Sequence, residues 1–461
     1  MYLINSFPKS RPSAPESAPS KGRPNPPPSA LTYTQNLTLQ VRFSGYYLGM
    51  RFRPRALQGT LLQSIKTFPA VIVTGPRQSG KTTLLKTLFS KTHAFVSLED
   101  ADVRGRAKED PRRFLREYAP PVVIDEIQYA PELLSYVKTL IDENRKTGQW
   151  LFTGSQNFVL MQNVTQSLAG RAAILTLMPF AYCEHIGQAA RAREISAWLR
   201  EPGSGISRRK GKRIEGLGSW LLRGGYPEIA TKKRIDRQVW CSSYVTTYLE
   251  RDVRNLAHVG DLNLFERFLR LCASRTAQIL NLSEMARDIG VSVTTAKRWL
   301  SILEAGYQVY LLYPYYQNLG KRWVKSPKLY FCDTALASYL MGIHEPSVLA
   351  QGPSYGPLFE TMIVADFLKR FLNFGGLPSL YYLRTQDDRE IDLAIETGGK
   401  LHLFEIKSTE TVMPAHAAGL RRLVKELGLK IKTAGILSAS PGCFELSEGI
   451  VHLNWQDALA F

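Results

Sequence analysis

The sequence predicts an α/β chain: a parallel-sheet domain, then a helix-turn-helix segment with a hairpin wing, then a second α/β domain. Three observations predict it. Short apolar, β-branched runs alternate with longer helical segments from Met50 to about His185, the pattern of strands buried on both faces of a parallel sheet. A glycine-rich turn joins the first run to a helix in VIVTGPRQSGKTTLL. Near the end, REIDLAIETGGKLHLFEIKS reads as two strands joined at Gly398-Gly399.

A chain of 461 residues holds roughly two to four domains. With 44% hydrophobic and 21% charged residues it can bury several ordinary cores. No apolar run approaches the ~18 residues of a membrane span. The five cysteines, Cys183, Cys241, Cys272, Cys332 and Cys443, are odd in number and lack zinc or redox spacing, which points to a reducing cytoplasm. The net charge of +19 favours a polyanionic partner such as DNA. It is concentrated in residues 1–55, with eight Lys/Arg against Glu16, and in Ser207–Arg213, SRRKGKR; such runs are also ordinary solvated loops.

The order along the chain follows. Residues 1–49 contain the Pro/Ser-rich stretch Pro8–Ala30, which lacks the apolar surface to fold and is expected to be a disordered tail. Residues 50–185 form the parallel-sheet domain, with AVIVTG, AFVSLE, PVVIDE and WLFTGS as strands. Residues 186–259 read as a helical, basic connector, 260–325 as the helix-turn-helix domain and 326–461 as the terminal domain.

Between strand and helix lies G-x-x-x-x-G-K-T, Gly75 to Thr82. Gly75 and Gly80 let the backbone curl with its N–H groups turned onto phosphate oxygens, and the helix start adds its dipole. The expected nucleotide-binding set is Gly75, Pro76, Arg77, Gln78, Ser79, Gly80, Lys81, Thr82 and Thr83, with Asp125 and Ser155. Lys81 is expected to reach the β/γ-phosphates of ATP and Thr82 to hold Mg²⁺. In PVVIDEIQ an apolar strand ends in two carboxylates: Asp125 as a metal-positioning group and Glu126 as general base for the attacking water. Thr153 or Ser155 in LFTGSQN is either a γ-phosphate sensor or an ordinary strand-end turn. Arg171 in LAGRAAIL is a candidate for transition-state charge, or a surface arginine.

The order GPRQSGKTT, VVIDEIQ, FTGSQ, LAGR, LMPFAYCEH, followed by LLRGGYPE, YLERDVRNL and GPLFETMIVADFL, resembles a family of bacterial and archaeal AAA-superfamily ATPases with a C-terminal domain of unknown function. The resemblance runs from about Arg51 to Phe461. It implies that Lys81, Thr82, Asp125 and Glu126 bind and hydrolyse ATP with Mg²⁺, and it is silent on what hydrolysis powers.

NLSEMARDIGVSVTTAKRWLSILEAG reads as two helices. Ser283 is expected to cap the first, Gly290 to turn the chain, and Ser292 to cap the second, with Val293, Ala296, Leu300 and Leu303 inward. Thr294, Thr295, Lys297 and Arg298 then face outward, as in a major-groove reader. A wing would follow, its tip at Asn318-Leu319-Gly320 beside Lys321 and Arg322; the same module also serves as a packing unit.

In the terminal hairpin, counting from the Gly-Gly turn pairs Thr397 with Lys400, Asp392 with Glu405 and Glu390 with Lys407, all on one face. Facing carboxylates repel unless a cation lies between them. Asp392…Glu405-Ile406-Lys407 resembles the metal site of restriction-endonuclease-like nucleases. The resemblance implies a second metal site from Glu360, Asp392 and Glu405, with Lys407 beside the attacking water. A cross-strand Glu390–Lys407 ion pair is the plainer reading.

The function expected is a Mg²⁺-dependent ATPase with output domains that act on DNA. The alternatives are an ATP-gated nuclease, a non-hydrolysing nucleotide switch, and a DNA-binding regulator. Protein partners or oligomers fit this reading, and no membrane does.

Overall fold

The computed structural model describes residues 52–155, 167–200, 216–248, 253, 261–315, 326–384, 389–427 and 431–460. The expected tail at 1–49, the basic run Ser207–Arg213 and the wing tip at 318–322 lie outside the described residues.

Helix α1 (Gln58–Thr67) leads into β1 (Ala70–Thr74), which is buried along its whole length because both faces of the sheet are covered. Four further strands complete the sheet: β2 (Ala94–Ser97), β3 (Val122–Asp125), β4 (Trp150–Gly154) and β5 (Ala172–Thr176). Their order is β2-β3-β4-β1-β5, and every pairing is parallel. The four expected strands are β1 to β4. β5 was not marked, since it is an edge strand whose Ala172, Ala173 and Ile174 are only partly covered and leave a weak apolar signal. Parallel strands end together, so the tips of β1, β3 and β4 share one edge of the sheet, where ligands of such sheets bind. α2 (Lys81–Phe89) rises from that edge.

The next region packs differently from three independent domains. Apolar residues from Met178 to Leu459 form one continuous core that joins the connector, the helix pair and the terminal sheet. Helices α3 (Leu282–Ile289) and α4 (Val293–Ala305) are joined through Gly290, at φ 81°. Ser292 Oγ caps α4 by accepting from Thr295 N at 3.1 Å, as expected. Two details differ. Asn281, not Ser283, caps α3, accepting from Glu284 N at 3.2 Å, because the helix begins one residue before Ser283. Val293 is 47% exposed, since at the first position of α4 it lies outside the packed stripe of Ala296, Trp299, Leu300 and Leu303.

β6 (Gln278–Ile279), β7 (Val309–Leu312) and β8 (Lys328–Phe331) form an antiparallel sheet in the order β6-β8-β7. This moves the expected boundary at 325/326, because β8 completes the sheet of the preceding region.

The terminal region is a six-stranded sheet ordered β13-β14-β12-β11-β10-β9, comprising β9 (Leu380–Arg384), β10 (Glu390–Thr397), β11 (Lys400–Lys407), β12 (Ile431–Ser438), β13 (Cys443–Ser447) and β14 (Ile450–Asn454). α5 (Tyr355–Asn373) covers one face with Phe359, Ile363 and Phe367, against Leu393, Phe404 and Ile406. α6 (Ala418–Leu427) covers the other with Leu420 and Leu423, against Leu401, Leu403 and Ile436. The hairpin register is the one counted from Gly398-Gly399: Thr397 faces Lys400 and Leu393 faces Phe404. The alternation does not persist along β10. Its register with β9 shifts between Ile391 and Ala394, and Ile391 joins the α6-side core while Leu393 joins the α5 side. No helix among the described residues is long and apolar enough to cross a membrane.

Candidate active site

The loop between β1 and α2 is built on residues that tolerate positive φ. Gly75, Gln78 and Gly80 have φ of 139°, 57° and 96°. At Gly75 a Cβ would stand 2.2 Å from the Leu177 carbonyl oxygen, so no larger residue fits. Gly80 provides no side-chain cap for α2, which leaves the first-turn N–H groups to the loop. Lys81 is 5% exposed, and its ammonium donates to the carbonyls of Gly75 at 3.0 Å and Pro76 at 2.8 Å.

The acidic pair sits beside it at the end of β3. Asp125 Oδ1 accepts from Thr82 Oγ1 at 2.8 Å and from Thr153 Oγ1 at 2.6 Å, and Oδ2 accepts from Ser97 Oγ at 3.3 Å. Glu126 leaves the strand in a left-handed conformation, φ 59° and ψ 49°, a strained arrangement for a non-glycine residue that costs about 1–3 kcal/mol and turns its side chain out of the sheet. Its backbone N–H donates to Thr153 Oγ1 at 2.9 Å. Its carboxylate accepts from Ser155 Oγ at 3.2 Å and from the Gln128 amide. Thr153 and Ser155 therefore hold the carboxylate pair in place. Sequence reasoning missed Gln128; its signal is an amide two residues after the acidic pair in IDEIQ.

Arg171 does not join this group. It stands at the start of β5, where its carbonyl accepts from Ala70 N at 3.3 Å. The phosphate loop begins at the other end of β1, roughly 16 Å away at the usual rise per residue. Arg171 forms a two-pronged ion pair with Asp142, at 2.6 and 2.9 Å. The parallel register thus places Arg171 at the end of β1 opposite the phosphate loop of its own chain.

Two groups that sequence reasoning did not single out reach the loop. Arg55 is buried against Glu184 at 3.0 Å and donates to the Ser79 carbonyl at 2.7 Å. Tyr307, itself at φ 57°, places its hydroxyl 3.2 Å from Thr74 Oγ1 at the last residue of β1.

The terminal cluster also differs from expectation. Glu360, Glu390 and Asp392 converge, but on the ammonium of Lys328, at 3.1, 2.5 and 3.7 Å. Tyr330 Oη donates to Glu360 at 2.5 Å. Asp392 accepts from the Ile406 N–H at 2.8 Å, and Lys407 pairs with Glu405 at 2.6 Å, so Glu390 does not pair with Lys407. Burial, and then the charge of Asp392, push the carboxyls of Glu360 and Glu405 up to about 7. Although burial alone lowers it, Lys328 is held above its ordinary value by Glu360, Asp392 and Glu390. Among the described residues, no three carboxylate, histidine or cysteine side chains are grouped to hold a metal. Of the residues expected at a second metal site, Glu360 and Asp392 stand with Glu390 around Lys328, while Glu405 pairs with Lys407. Lys328 lies on β8, which precedes the hairpin in sequence, so the spacing of residues within the hairpin carries no sign of it.

Residues 67–186 match the family described as "AAA domain". Residues 214–347 and 355–457 match the domains of unknown function DUF8612 and DUF4143. Uncharacterized protein Rv2008c of Mycobacterium tuberculosis and uncharacterized protein Mb2031c of Mycobacterium bovis are each 30% identical over 404 residues, 87% of this chain and 83% of theirs. The chain belongs to their family. Within this family the chain carries an AAA-type P-loop ATPase domain and a DUF4143 C-terminal domain. Among solved structures, the Walker-type ATPase PABY2304 of Pyrococcus abyssi is similar with a TM-score of 0.40 and 14% identity, over 63% of this chain and 99% of that one. The RuvB Holliday junction branch migration motor of Thermotoga maritima is similar with a TM-score of 0.26 and 17% identity, over 55% of this chain and 88% of that one.

Proposed function

We propose that the chain is a Mg²⁺-dependent ATPase whose turnover drives DNA-associated output domains. One observation carries the catalytic part: Thr82, Asp125 and Glu126 stand together beside the phosphate loop, with Thr82 Oγ1 2.8 Å from Asp125. The residues suit the ligands. Ser79 Oγ is buried in the loop with no hydrogen-bond partner among the described residues, and a hydroxyl beside a carboxylate is an oxygen donor set of the kind Mg²⁺ takes. Bound there, Mg²⁺ would neutralise charge on the phosphates. Lys81 holds the β/γ-phosphate charge. Glu126 orients a water and accepts its proton as that water bonds to the γ-phosphorus; the bond to the β–γ bridging oxygen breaks, giving ADP and inorganic phosphate. Ser155 and Gln128 keep the Glu126 carboxylate aimed. Arg171 is available only to the site of a neighbouring copy.

Phosphate release measured with Mg²⁺ and with EDTA tests this reading. Turnover is expected only with Mg²⁺, and Lys81→Ala is expected to lower it about 10²-fold or more. ATP binding without turnover would favour the nucleotide-switch reading.

The DNA part rests on α4. Thr294, Lys297 and Arg298 are exposed along it, and α3, α4 and the β6-β8-β7 sheet support a winged-helix reading. Lys297→Glu with Arg298→Glu is expected to weaken duplex DNA binding at least about tenfold and to lower the salt slope by about two. Binding and slope equal to the parent's would remove α4 as the contact. The order α5, β9, β10, β11, α6, β12 supports a restriction-endonuclease-like reading of the terminal fold. The ammonium of Lys328 amid its carboxylates counts against the ATP-gated nuclease. The cytoplasmic reading rests on cysteines that are all free.

A further inference from the structure

The side chain that shapes the phosphate loop from behind lies outside the G-x-x-x-x-G-K-T motif. Arg55 precedes α1 and is 5% exposed. Its guanidinium fork makes four bonds: Nε and Nη2 donate to Glu184 at 3.0 and 3.3 Å, Nη2 to the Met178 carbonyl at 2.6 Å, and Nη1 to the Ser79 carbonyl at 2.7 Å. The Phe180 ring lies 4.9 Å below it. Glu184 is fixed in turn by the backbone N–H groups of Ala56 at 2.7 Å and Ala181 at 2.8 Å. A planar group with this many bonds has one orientation, and a lysine cannot reproduce it.

The consequence follows from the peptide plane. The Ser79 carbonyl and the Gly80 N–H belong to one trans peptide, so they point in opposite directions. Anchoring the oxygen on Arg55 turns the Gly80 N–H away from Arg55 and toward the concave side of the loop. Arg55 lies beside Gly80 as well: a Cβ on Gly80 would stand at ordinary van der Waals distance, 3.6 Å, from Arg55 Nη1. A cation on the carbonyl also polarises the peptide and strengthens its N–H as a donor. Gly80 has no side chain with which to hold this orientation, and as a glycine at φ 96° its backbone has wide conformational freedom.

We propose that Arg55 is a positioning residue for phosphate binding: through the Ser79 carbonyl it presents the Gly80 N–H to the di- or triphosphate of the nucleotide. The proposal rests on the ATPase reading. It also sets the ligand specificity of the effect, since ATP and ADP share the phosphates that the loop holds and both lose affinity together.

The experiment uses the full chain and a fluorescent ADP analogue, with ATP turnover alongside. Arg55→Lys keeps the charge against Glu184 but not the fork. Its ADP dissociation constant and its KM for ATP are expected to rise together by about tenfold, with kcat changed by less than about threefold, the signature of binding lost equally in ground and transition states. The melting temperature separates this from unfolding. If Arg55→Lys does not fold, Arg55→Met with Glu184→Gln removes the buried charges as a pair and reads out the same affinity. ADP affinity equal to the parent's in either folded variant overturns the proposal. A parent chain that binds no nucleotide overturns the ATPase reading with it, whereas a parent that binds beside an Arg55→Lys that binds equally well overturns this one alone.

Discussion

Glu126→Gln is expected to bind ATP with near-parental affinity and to hydrolyse it about 10²–10⁴ times more slowly, the usual contribution of a positioned general base. The substitution keeps the shape of the side chain, and the backbone bond from residue 126 to Thr153 Oγ1, 2.9 Å in the parent, is untouched. Thr82, Thr153 and Ser97 remain on Asp125, so the metal-positioning carboxylate is unchanged. What disappears is the acceptor for the proton of the attacking water. Single-turnover phosphate release gives the chemical step, and titration with a fluorescent ATP analogue gives binding. Turnover within about threefold of the parent would remove Glu126 from the general-base role. Loss of binding together with turnover would show instead that the left-handed turn at φ 59° depends on the carboxylate's bond to Ser155.

Lys328→Met is expected to destabilise the chain by about 3–5 kcal/mol, the cost of leaving buried charge unpaired. The Lys328 side chain is 4% exposed and the Glu360 side chain 16%, so water cannot replace the ammonium. The loss depends on pH, and its sign follows from proton binding. Burial and then Asp392 already raise the Glu360 and Glu405 carboxyls to about 7 from an ordinary 4.5. The folded chain thus holds more protons than the unfolded chain between those values. The stability these two groups contribute is complete below about pH 4.5 and is lost as pH rises through about 7. Removing Lys328 takes away a cation that lowers both carboxyls, so they rise further. The variant's deficit in melting temperature is therefore expected to be larger at pH 8 than at pH 6. A deficit independent of pH would show that packing, and not charge, makes Lys328 necessary.

Much of the phosphate site was legible because its chemistry is local. The glycines of the loop, Lys81 and Thr82 are consecutive in sequence, and the turn they form depends on backbone conformations that few other residues adopt. Asp125 and Glu126 were legible because an apolar run ending in two acids leaves them nowhere to lie but the end of a buried strand. The hairpin register was legible for a similar reason: two glycines, at φ 55° and 72°, fix the turn and hence the pairs that follow it.

Contacts between groups distant in sequence were not legible in this way. Arg171 lies close after the tip of β4 in sequence, yet the parallel pairing of β5 with β1 puts it at the opposite end of the sheet. Asp392 was expected to await a metal, but Lys328 reaches it from another strand at 3.7 Å. Arg55 and Ser79 are separated by 24 residues and meet only because Glu184, a further 129 residues from Arg55, fixes the guanidinium between them.

The sequence by itself determined the strand-loop-helix around Gly75–Thr82, the carboxylates at the end of β3, the two-helix unit with its Ser292 cap, and the register of the terminal hairpin. Each follows from backbone geometry or apolar periodicity within a few residues. Only the tertiary structure decided which charges meet. Burial makes an unpaired charge costly, so each buried carboxylate takes whichever cation the fold brings within reach, and that cation comes from a distant strand or helix. For this chain Glu360, Glu390 and Asp392 meet Lys328 from β8, and Arg55 stands behind the phosphate loop.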